Sequence, residues 1–580
     1  MIVLGISAFF HDAAASLIKD GVLVAAVEEE RFTRKKHDYH FPKNAIQYCL
    51  DEARITIDQV DYIAFYEKPL LKFERVANQF FQSFPRGFFA FANTMPSWLK
   101  EKLRIRRIIR KKTGYLKDIF FIDHHLSHAA SSYLMSPFFD AALLTLDGVG
   151  ELASATYGYG KGNTIVLEKE IQFPHSLGLL YSTVTGYCGF SINSGEYKLM
   201  GLSAYGKPTY YHQLKKIIDI KQDGSFALDM GYFSYDHKMK MPSKKFLEEF
   251  GHPLEQDGEI TQHHKDMASS VQKILEETLF KILSALHLTY HSDNLCMGGG
   301  VALNSVANGK ILKNTPFKNL YIQPSAGDGG GSVGAAAYVY YSLLNKKRTR
   351  HMSTAYLGPK YTYDQVKNFL DTHSIRYTEF TEEKKLLTNV AHLIYQNKVV
   401  GWFQGRMEFG PRALGARSIL SNPCNSEMQR ILNTKVKHRE KFRPFAPAIC
   451  VEDVKDYFEC DKNIPPAADF MLMVYPIQQE KRNLIPAVTH VDGSGRLQVV
   501  RKEQNPRFYS LIKSFGNISN IPILINTSFN IRGEPIVCTP LDAYRCMMGT
   551  GIDYLVIENF LIKREDNLRD AWDSEKYATD

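Results

Sequence analysis

Four residues combine metal-ligating chemistry with suggestive placement. His124 and His128 stand four apart in HHLSHAASSYLM (124–135), so a helix there carries both imidazoles on one face. Asp147 ends the apolar run AALLTLD just before Gly148, and Asp328 lies in SAGDGGG (325–331), after the strand-like NLYIQ. Carboxylates at strand ends beside glycine loops gather in the crevice of an α/β sheet, where ligands bind. Two imidazoles and two carboxylates suit a redox-type divalent ion such as Fe²⁺ or Mn²⁺ better than a closed structural zinc site, which favours Cys. The plainer alternative is a helical histidine pair satisfied by structural hydrogen bonds. A second set consists of Arg406, Arg412, Arg417, Arg439, Arg443, Arg496 and Arg532, spread over QGRMEFGPRALGARSIL (404–420), VKHREKFRPFAPAI (436–449), THVDGSGRLQVV (489–500) and INTSFNIRGEPIV (525–537). Guanidinium groups offer planar, paired donors to phosphate or carboxylate oxygens. Converged, they repel one another unless an anion sits among them, so loops that meet predict a polyphosphate site; taken singly, each is a surface or ion-paired residue.

Elements that could hold these residues are visible around them. MIVLGIS, AAASLI and VLVAAVEEE, with a Lys19-Asp20-Gly21 turn between the last two, read as strands joined by hairpin turns. That pattern opens the sugar-kinase and actin superfold. NLCMGGGVALNSVANGKIL (294–312) and NLYIQPSAGDGGGSVGAAAYVYYSLL (319–344) are two consecutive strand–glycine–helix units. Glycines 298–300 and 329–331 would let backbone N–H groups approach an anion at a helix start, a nucleotide signal. SGEYKLMGLSAYGKP (194–208) adds a further glycine-containing loop. The polar stretch NKKRTRHMST (345–354) precedes a helix-like YDQVKNFLDTH, which places a domain boundary near 350–358.

Composition excludes several classes. A chain of 580 residues with 44% hydrophobic and 23% charged residues is too long for one core and ordinary for a globular protein. No apolar stretch approaches the length of a membrane span, and Met1 runs straight into IVLGIS without a basic leader, so a cytoplasmic protein is expected. The eight cysteines show no C-x-x-C pair and read as reduced thiols. The net charge of +9 is local: KEKLRIRRIIRKK (100–112) carries +7, leaving +2 for the rest of the chain. Phe80, Phe81, Phe84, Phe88, Phe89 and Phe91 precede it. Basic plus aromatic composition is shared by nucleic-acid and membrane-surface segments. A helix with one solvated cationic face and one buried face is the preferred reading, and an insertion over the active cleft or against a partner subunit also fits. Neither a nucleic acid nor a membrane partner is expected, and the large apolar segments are compatible with a homodimer.

With HDAAASL, EEERFTRKKH, DHHLSHAASSY, DGVGE, SGEYKLMGL, GGGVALN, SAGDGG, GRMEFGPRALGARSI, KFRPFAPAI and NTSFN in this order, the whole chain resembles the NodU/CmcH-type O-carbamoyltransferases. The resemblance implies an α/β protein in two parts: a TsaD-like domain of the actin/sugar-kinase superfold over residues 1–352, and a YrdC-like α/β domain over 353–580. It implies that the second domain makes carbamoyl adenylate from carbamoyl phosphate and ATP, with Mg²⁺ accompanying the nucleotide, and that the first passes the carbamoyl group to a hydroxyl of a small-molecule acceptor. By the same resemblance, His124, His128, Asp147 and Asp328 fall on Fe²⁺-ligand positions, and Lys36, Gly300 and Asn304 on nucleotide contacts of the first domain. Arg412, Lys437, Arg443, Arg496, Asn526 and Ser528 fall on positions that hold carbamoyl phosphate and ATP. His11 falls on the general-base position, against a rival view as a hydrogen-bonding loop residue, and Asp12 orients it or binds the acceptor. A tRNA threonylcarbamoyl-type transferase and a nucleotide-gated binding protein without turnover are the alternatives. The near-balanced charge outside one helix disfavours the first, and the tetrad, His11 and the arginine loops together disfavour the second.

Overall fold

The structure is a computed structural model that describes residues 1–567 except 239, 256–257, 441 and 461–462, so the last part of the expected second domain, 568–580, lies outside the described residues. The chain divides into two compact units, one formed by Met1–Ala26 with Tyr39–Met352, the other by Val27–Asp38 with the described residues from 353 onward. Among the described residues no helix is long and apolar enough to cross a membrane.

The first unit uses one strand plan twice. β1 (Ile2–Ser7) pairs antiparallel with β2 (Ala14–Lys19), and β3 (Val22–Glu28) follows through Asp20 and Gly21, whose φ values of 50° and 78° are the positive pair that a tight hairpin turn needs. β4 (Tyr62–Phe65) and β5 (Ile119–Phe121) extend this sheet in parallel, in the order β3-β2-β1-β4-β5. The antiparallel run β6 (Asp140–Leu146), β7 (Ala153–Lys161) and β8 (Thr164–Gln172) is then extended in parallel by β9 (Asn294–Gly298) and β10 (Asn319–Ile322), in the order β10-β9-β6-β7-β8. Three strands joined antiparallel plus two added in parallel, repeated, is the plan of the actin and sugar-kinase superfold expected from the opening hairpin. The parallel strands are apolar on both faces because helices cover both. Between β4 and β5 lie α1 (Pro69–Ser83), α2 (Phe88–Lys100) and α3 (Ile105–Thr113); α4 (His124–Tyr133) follows β5, and α5 (Gln262–Tyr290) precedes β9. α6 (Asp328–Ala337) is built of Gly, Ala, Ser and Val after its first residue, and the small side chains let it lie directly on β1 and α4. A Cβ at Gly5 would stand 2.0 Å from the Ser332 carbonyl oxygen.

The second unit is a mixed nine-stranded sheet. In chain order its strands are β11 (Thr378–Glu379), β12 (Val400–Phe403), β13 (Arg417–Ser421), β14 (Ala446–Cys450), β15 (Met473–Pro476), β16 (Ser494–Val500), β17 (Ile523–Ser528), β18 (Tyr554–Ile557) and β19 (Phe560–Lys563). In space they run β11-β19-β18-β12-β13-β17-β14-β16-β15. α7 (Glu383–Tyr395) and α8 (Pro506–Ser519) bury Leu386, Val390, Ile394, Phe508, Leu511 and Phe515 against Trp402, Leu420, Leu524 and Val556 of that sheet.

Residues 27–38 depart from the expected 1–352 domain. Arg31 Nη2 donates to the Gly410 carbonyl at 2.8 Å, and Glu28 Oε1 accepts from the Gly410 N–H at 2.7 Å. Arg34 donates to the carbonyls of Ile536 and Pro535, both at 2.7 Å. These bonds satisfy backbone groups of the second unit, so its loops are built around the segment.

Candidate functional site

The chain leaves β5, turns at Asp123 and begins α4 at His124, so helical geometry stacks His124 and His128 with ring centroids 4.6 Å apart. Asp147 follows the last residue of β6, and Asp328 opens α6. Asp147 Oδ2 lies 2.9 Å from His124 Nε2 and 3.2 Å from His128 Nε2, while Asp328 Oδ1 lies 3.8 and 3.5 Å from the same atoms. One ligand atom from each of the four residues falls within 4.8 Å of the others. Both imidazoles are fully buried, and among the described residues neither Nδ1 has a hydrogen-bond partner. Burial opposes the imidazolium, yet the bonds to Asp147 and Asp328 raise His128 to about 9; burial likewise opposes the Asp147 carboxylate, and the two histidines hold it well below the usual range. Two nitrogens and two carboxylate oxygens converging away from water form a donor set that fits a divalent cation.

Backbone groups complete the arrangement. The Gly148 and Gly300 N–H groups donate to Asp147 Oδ1 at 2.8 and 3.3 Å, so the Gly300 amide, expected to face a nucleotide, serves a protein carboxylate here. Gly299, at φ 92°, lets the chain pass so close to β6 that a Cβ would stand 2.2 Å from the Leu146 carbonyl oxygen. Glu151 was not singled out by sequence. Its carboxylate accepts from the His124 N–H at 2.9 and 3.0 Å and from the Lys68 N–H at 2.7 Å, capping α4, whose own Asp123 makes no side-chain cap bond. The only hint was its place at the end of DGVGE. α6 meets α4 at Gly334, where a Cβ would stand 1.8 Å from the Ser127 carbonyl oxygen. Gly334→Ala is expected to destabilise the protein by about 3 kcal/mol, the upper part of the range for overpacking, and to move Asp328 away from the histidines. Urea unfolding together with divalent-ion titration checks both effects.

His11 lies on the loop after β1, where Phe9 and Asp12 adopt positive φ values of 73° and 43°. Its Nδ1 is 2.8 Å from Asp12 Oδ2 and its Nε2 3.2 Å from the Asn193 carbonyl oxygen. Both neighbours accept hydrogen bonds, so the ring is held doubly protonated; against the opposing effect of burial, Asp12 above all raises it to about 10. Asn304 caps the helix Ser305–Asn308 through the Ala307 N–H at 3.0 Å and exchanges two hydrogen bonds with Gln272 of α5, at 3.0 and 3.1 Å. Lys36, expected among the nucleotide contacts of the first domain, belongs to the second unit.

In that unit a group of cations does gather. Lys437 is buried, and its ammonium donates to the Ser528 carbonyl, to Ser528 Oγ at 3.2 Å and to Asn530 at 3.0 and 2.8 Å. Burial, then the charges of Arg439, Arg443 and Lys36, push it well below the ordinary lysine range. Burial, then Arg443 and Arg496, do the same to Arg439, which sequence noted among the loop arginines but not as a site position. Arg443 meets Glu440 at 3.6 Å. Asn526 donates to Gln498 Oε1 at 2.6 Å and to the Ala413 carbonyl, beside Arg412, at 3.2 Å; its Oδ1 is buried without a partner among the described residues. Ser528 Oγ donates to Asn530 Oδ1 at 2.7 Å. Two expected anion-binding arginines serve the fold instead. Arg417 is fully buried, stacks 3.5 Å from the Phe403 ring centroid and donates to the carbonyls of Gln404, Gly405, Ala416 and Pro359. Arg406 donates to those of Leu357 and Gly358.

Residues 2–337 match the family model described as carbamoyltransferase N-terminus, and residues 391–564 match the one described as carbamoyltransferase C-terminus. The chain is 47% identical to an uncharacterised protein of Synechocystis, over 97% of this chain and 96% of that one. It is 34% identical to nodulation protein NolNO of Sinorhizobium fredii, over 97% of this chain and 80% of the relative. Among solved structures it is similar to HypF of T. kodakarensis at 12% identity and a TM-score of 0.32, over 59% of this chain and 48% of that chain.

Proposed function

The chain belongs to the carbamoyltransferase family, and from that premise we propose an ATP-dependent O-carbamoyltransferase that works in two steps. In the first, carbamoyl phosphate, ATP accompanied by Mg²⁺, and water give carbamoyl adenylate, phosphate and pyrophosphate. Support comes above all from the buried Lys437 with the half-buried Arg439, Arg443 and Arg496: Arg439 and Arg443 lower Lys437, and Arg443 and Arg496 lower Arg439, a repulsion that an anion relieves, and phosphoryl oxygens supply the charge. Arg412 and Lys36 add positive charge, Ser528 offers its hydroxyl, and the buried Asn526 Oδ1 offers an acceptor for a ligand N–H or O–H. The direct test supplies the protein with ATP and carbamoyl phosphate and follows pyrophosphate release and the adenylate by mass spectrometry; ATP left intact would refute the reading.

In the second step the carbamoyl–phosphate anhydride bond of the adenylate breaks, the carbamoyl group passes to a hydroxyl of a small-molecule acceptor and AMP leaves. His124, His128, Asp147 and Asp328 would hold a divalent cation, Fe²⁺ in this reading, which when bound supplies charge stabilisation for a leaving phosphate. Gly300 and Asn304 would lie along the adenylate. His11 would take the acceptor's proton as the new C–O bond forms, with Asp12 orienting the ring or touching the acceptor. To do so, Nε2 must leave the Asn193 carbonyl and lose its proton. Because His11 is raised to about 10, its neutral form is scarce at pH 7 and grows as pH rises. The single-turnover transfer rate is therefore expected to climb by about tenfold per pH unit above 7 and to level off near 10. A flat profile over that range would remove His11 as the base.

A further inference from the structure

The α1–α3 insertion of the first unit has a surface that the two-step chemistry does not use. From Arg75 to Lys100 the sequence contains no Asp or Glu. Around the turn between α1 and α2 the side chains of Phe81, Phe84, Phe88 and Phe89 are 72%, 62%, 49% and 78% exposed, with Leu70 and Leu99 exposed farther along the helices. Phe80 of α1 stacks on Phe91 of α2 at 4.2 Å, and Phe73 meets the buried Trp98 at 5.6 Å. Phe81, Phe84 and Phe88 also touch Phe80, at 5.5, 5.9 and 6.5 Å between ring centroids, yet each stays about half exposed or more. Soluble surfaces rarely gather so many large apolar side chains without a partner. Directly after α2, the Lys102 ammonium sits 5.0 Å over the Trp98 ring. α3 buries Ile105 and Ile109 as the sequence predicts, and exposes Arg107, Arg110, Lys111 and Lys112, with Arg104 exposed just before it.

We propose that α1–α3 dock this protein on an anionic lipid membrane, the phenylalanines at the α1–α2 turn entering the headgroup–acyl boundary and the exposed cations around α3 meeting lipid phosphates. A cluster of exposed apolar side chains and, farther along the same insertion, a run of eight Lys/Arg against the single acid Glu101 supply the two complementary signals that a charged bilayer surface reads. A second copy of this chain would cover the phenylalanines but set like charges against like. The proposal replaces the expectation of no membrane partner, and it needs no membrane-spanning helix.

Co-sedimentation of the full chain with phosphatidylcholine vesicles, and with vesicles that also contain phosphatidylglycerol, tests it. Binding to the mixed vesicles is expected to be at least about tenfold tighter and to weaken as salt is raised. Phe88→Ser combined with Phe89→Ser, and separately Arg107→Glu combined with Arg110→Glu, should each lower that binding by at least about tenfold. All four residues are exposed, so unchanged thermal unfolding and unchanged carbamoyl phosphate-dependent ATP consumption identify the loss as one of docking. The proposal is overturned if wild-type protein stays with the solvent at every lipid concentration, if it binds both vesicle types alike, or if either double variant binds as wild type does. It is overturned too if the phenylalanine variant instead converts a dimer to a monomer in solution, which would assign the surface to a second copy.

Discussion

Arg443→Ala is expected to slow carbamoyl phosphate-dependent pyrophosphate release by about a hundredfold to a thousandfold, the loss seen when one aimed donor is removed from a site of developing negative charge. Arg443 depresses both Lys437 and Arg439, so it belongs to the electrostatic centre of the cation group and not to its edge. Its ion pair with Glu440, at 3.6 Å, is loose, and its removal should cost little stability. The companion variant is His11→Asn. Asparagine keeps a polar side chain on the same loop but has no titrating nitrogen, so the first step should run within about twofold of wild type while transfer to the acceptor stops. The two variants thus separate the half-reactions. Equal failure of both at pyrophosphate release would show that the chemistry is not divided between two sites.

The second large effect is expected at Asp328. Asp328→Asn keeps shape and volume at the start of α6 but removes a charge whose oxygen lies 3.8 and 3.5 Å from the two histidine Nε2 atoms. Changes to groups that only support a metal ligand cost about 10- to 100-fold in affinity, and a ligand itself should cost more than about 100-fold. Calorimetry with Fe²⁺ under argon, or cobalt(II) absorption, reads the loss independently of turnover, while pyrophosphate release by the second unit should persist. If the variant binds the ion as tightly as wild type, the four residues form a structural hydrogen-bond cluster, the plainer alternative for the histidine pair.

What the sequence made legible follows from the range of the interactions involved. The tetrad could be read because helical spacing joins His124 to His128 locally and strand ends mark Asp147 and Asp328. The duplicated strand plan showed only at its opening hairpin and its last two strand–glycine–helix units. The inserted α1–α3 and the long α5 separate the remaining pairs, and strand pairing at that distance leaves no local mark. Glycine 299 looked like an anion-binding position, but its positive φ is used for close approach to β6, and the neighbouring Gly300 N–H turns to Asp147. Arg417 and Arg443 sit in stretches of similar composition, yet Arg417 opens β13 while Arg443 lies in a loop. One meets four backbone carbonyls and the other meets cations, a difference set by partners far along the chain. Glu151 escaped notice for a related reason: it caps a helix that begins 27 residues earlier, beyond the reach of any capping pattern.

The Val27–Asp38 segment ties the chain's synthesis to its assembly. Glu28, Arg31 and Arg34 leave the ribosome first, yet their partners at Gly410, Pro535 and Ile536 are translated several hundred codons later. At about 5–20 residues per second that interval is on the order of tens of seconds, during which Glu28 and Arg31 have only each other, Glu30 and solvent. The amino-terminal sheet therefore matures on the nascent chain with one stretch unplaced. A fragment started at codon 353 would lack part of its own interior, so the gene cannot be cut into two working halves at its apparent seam.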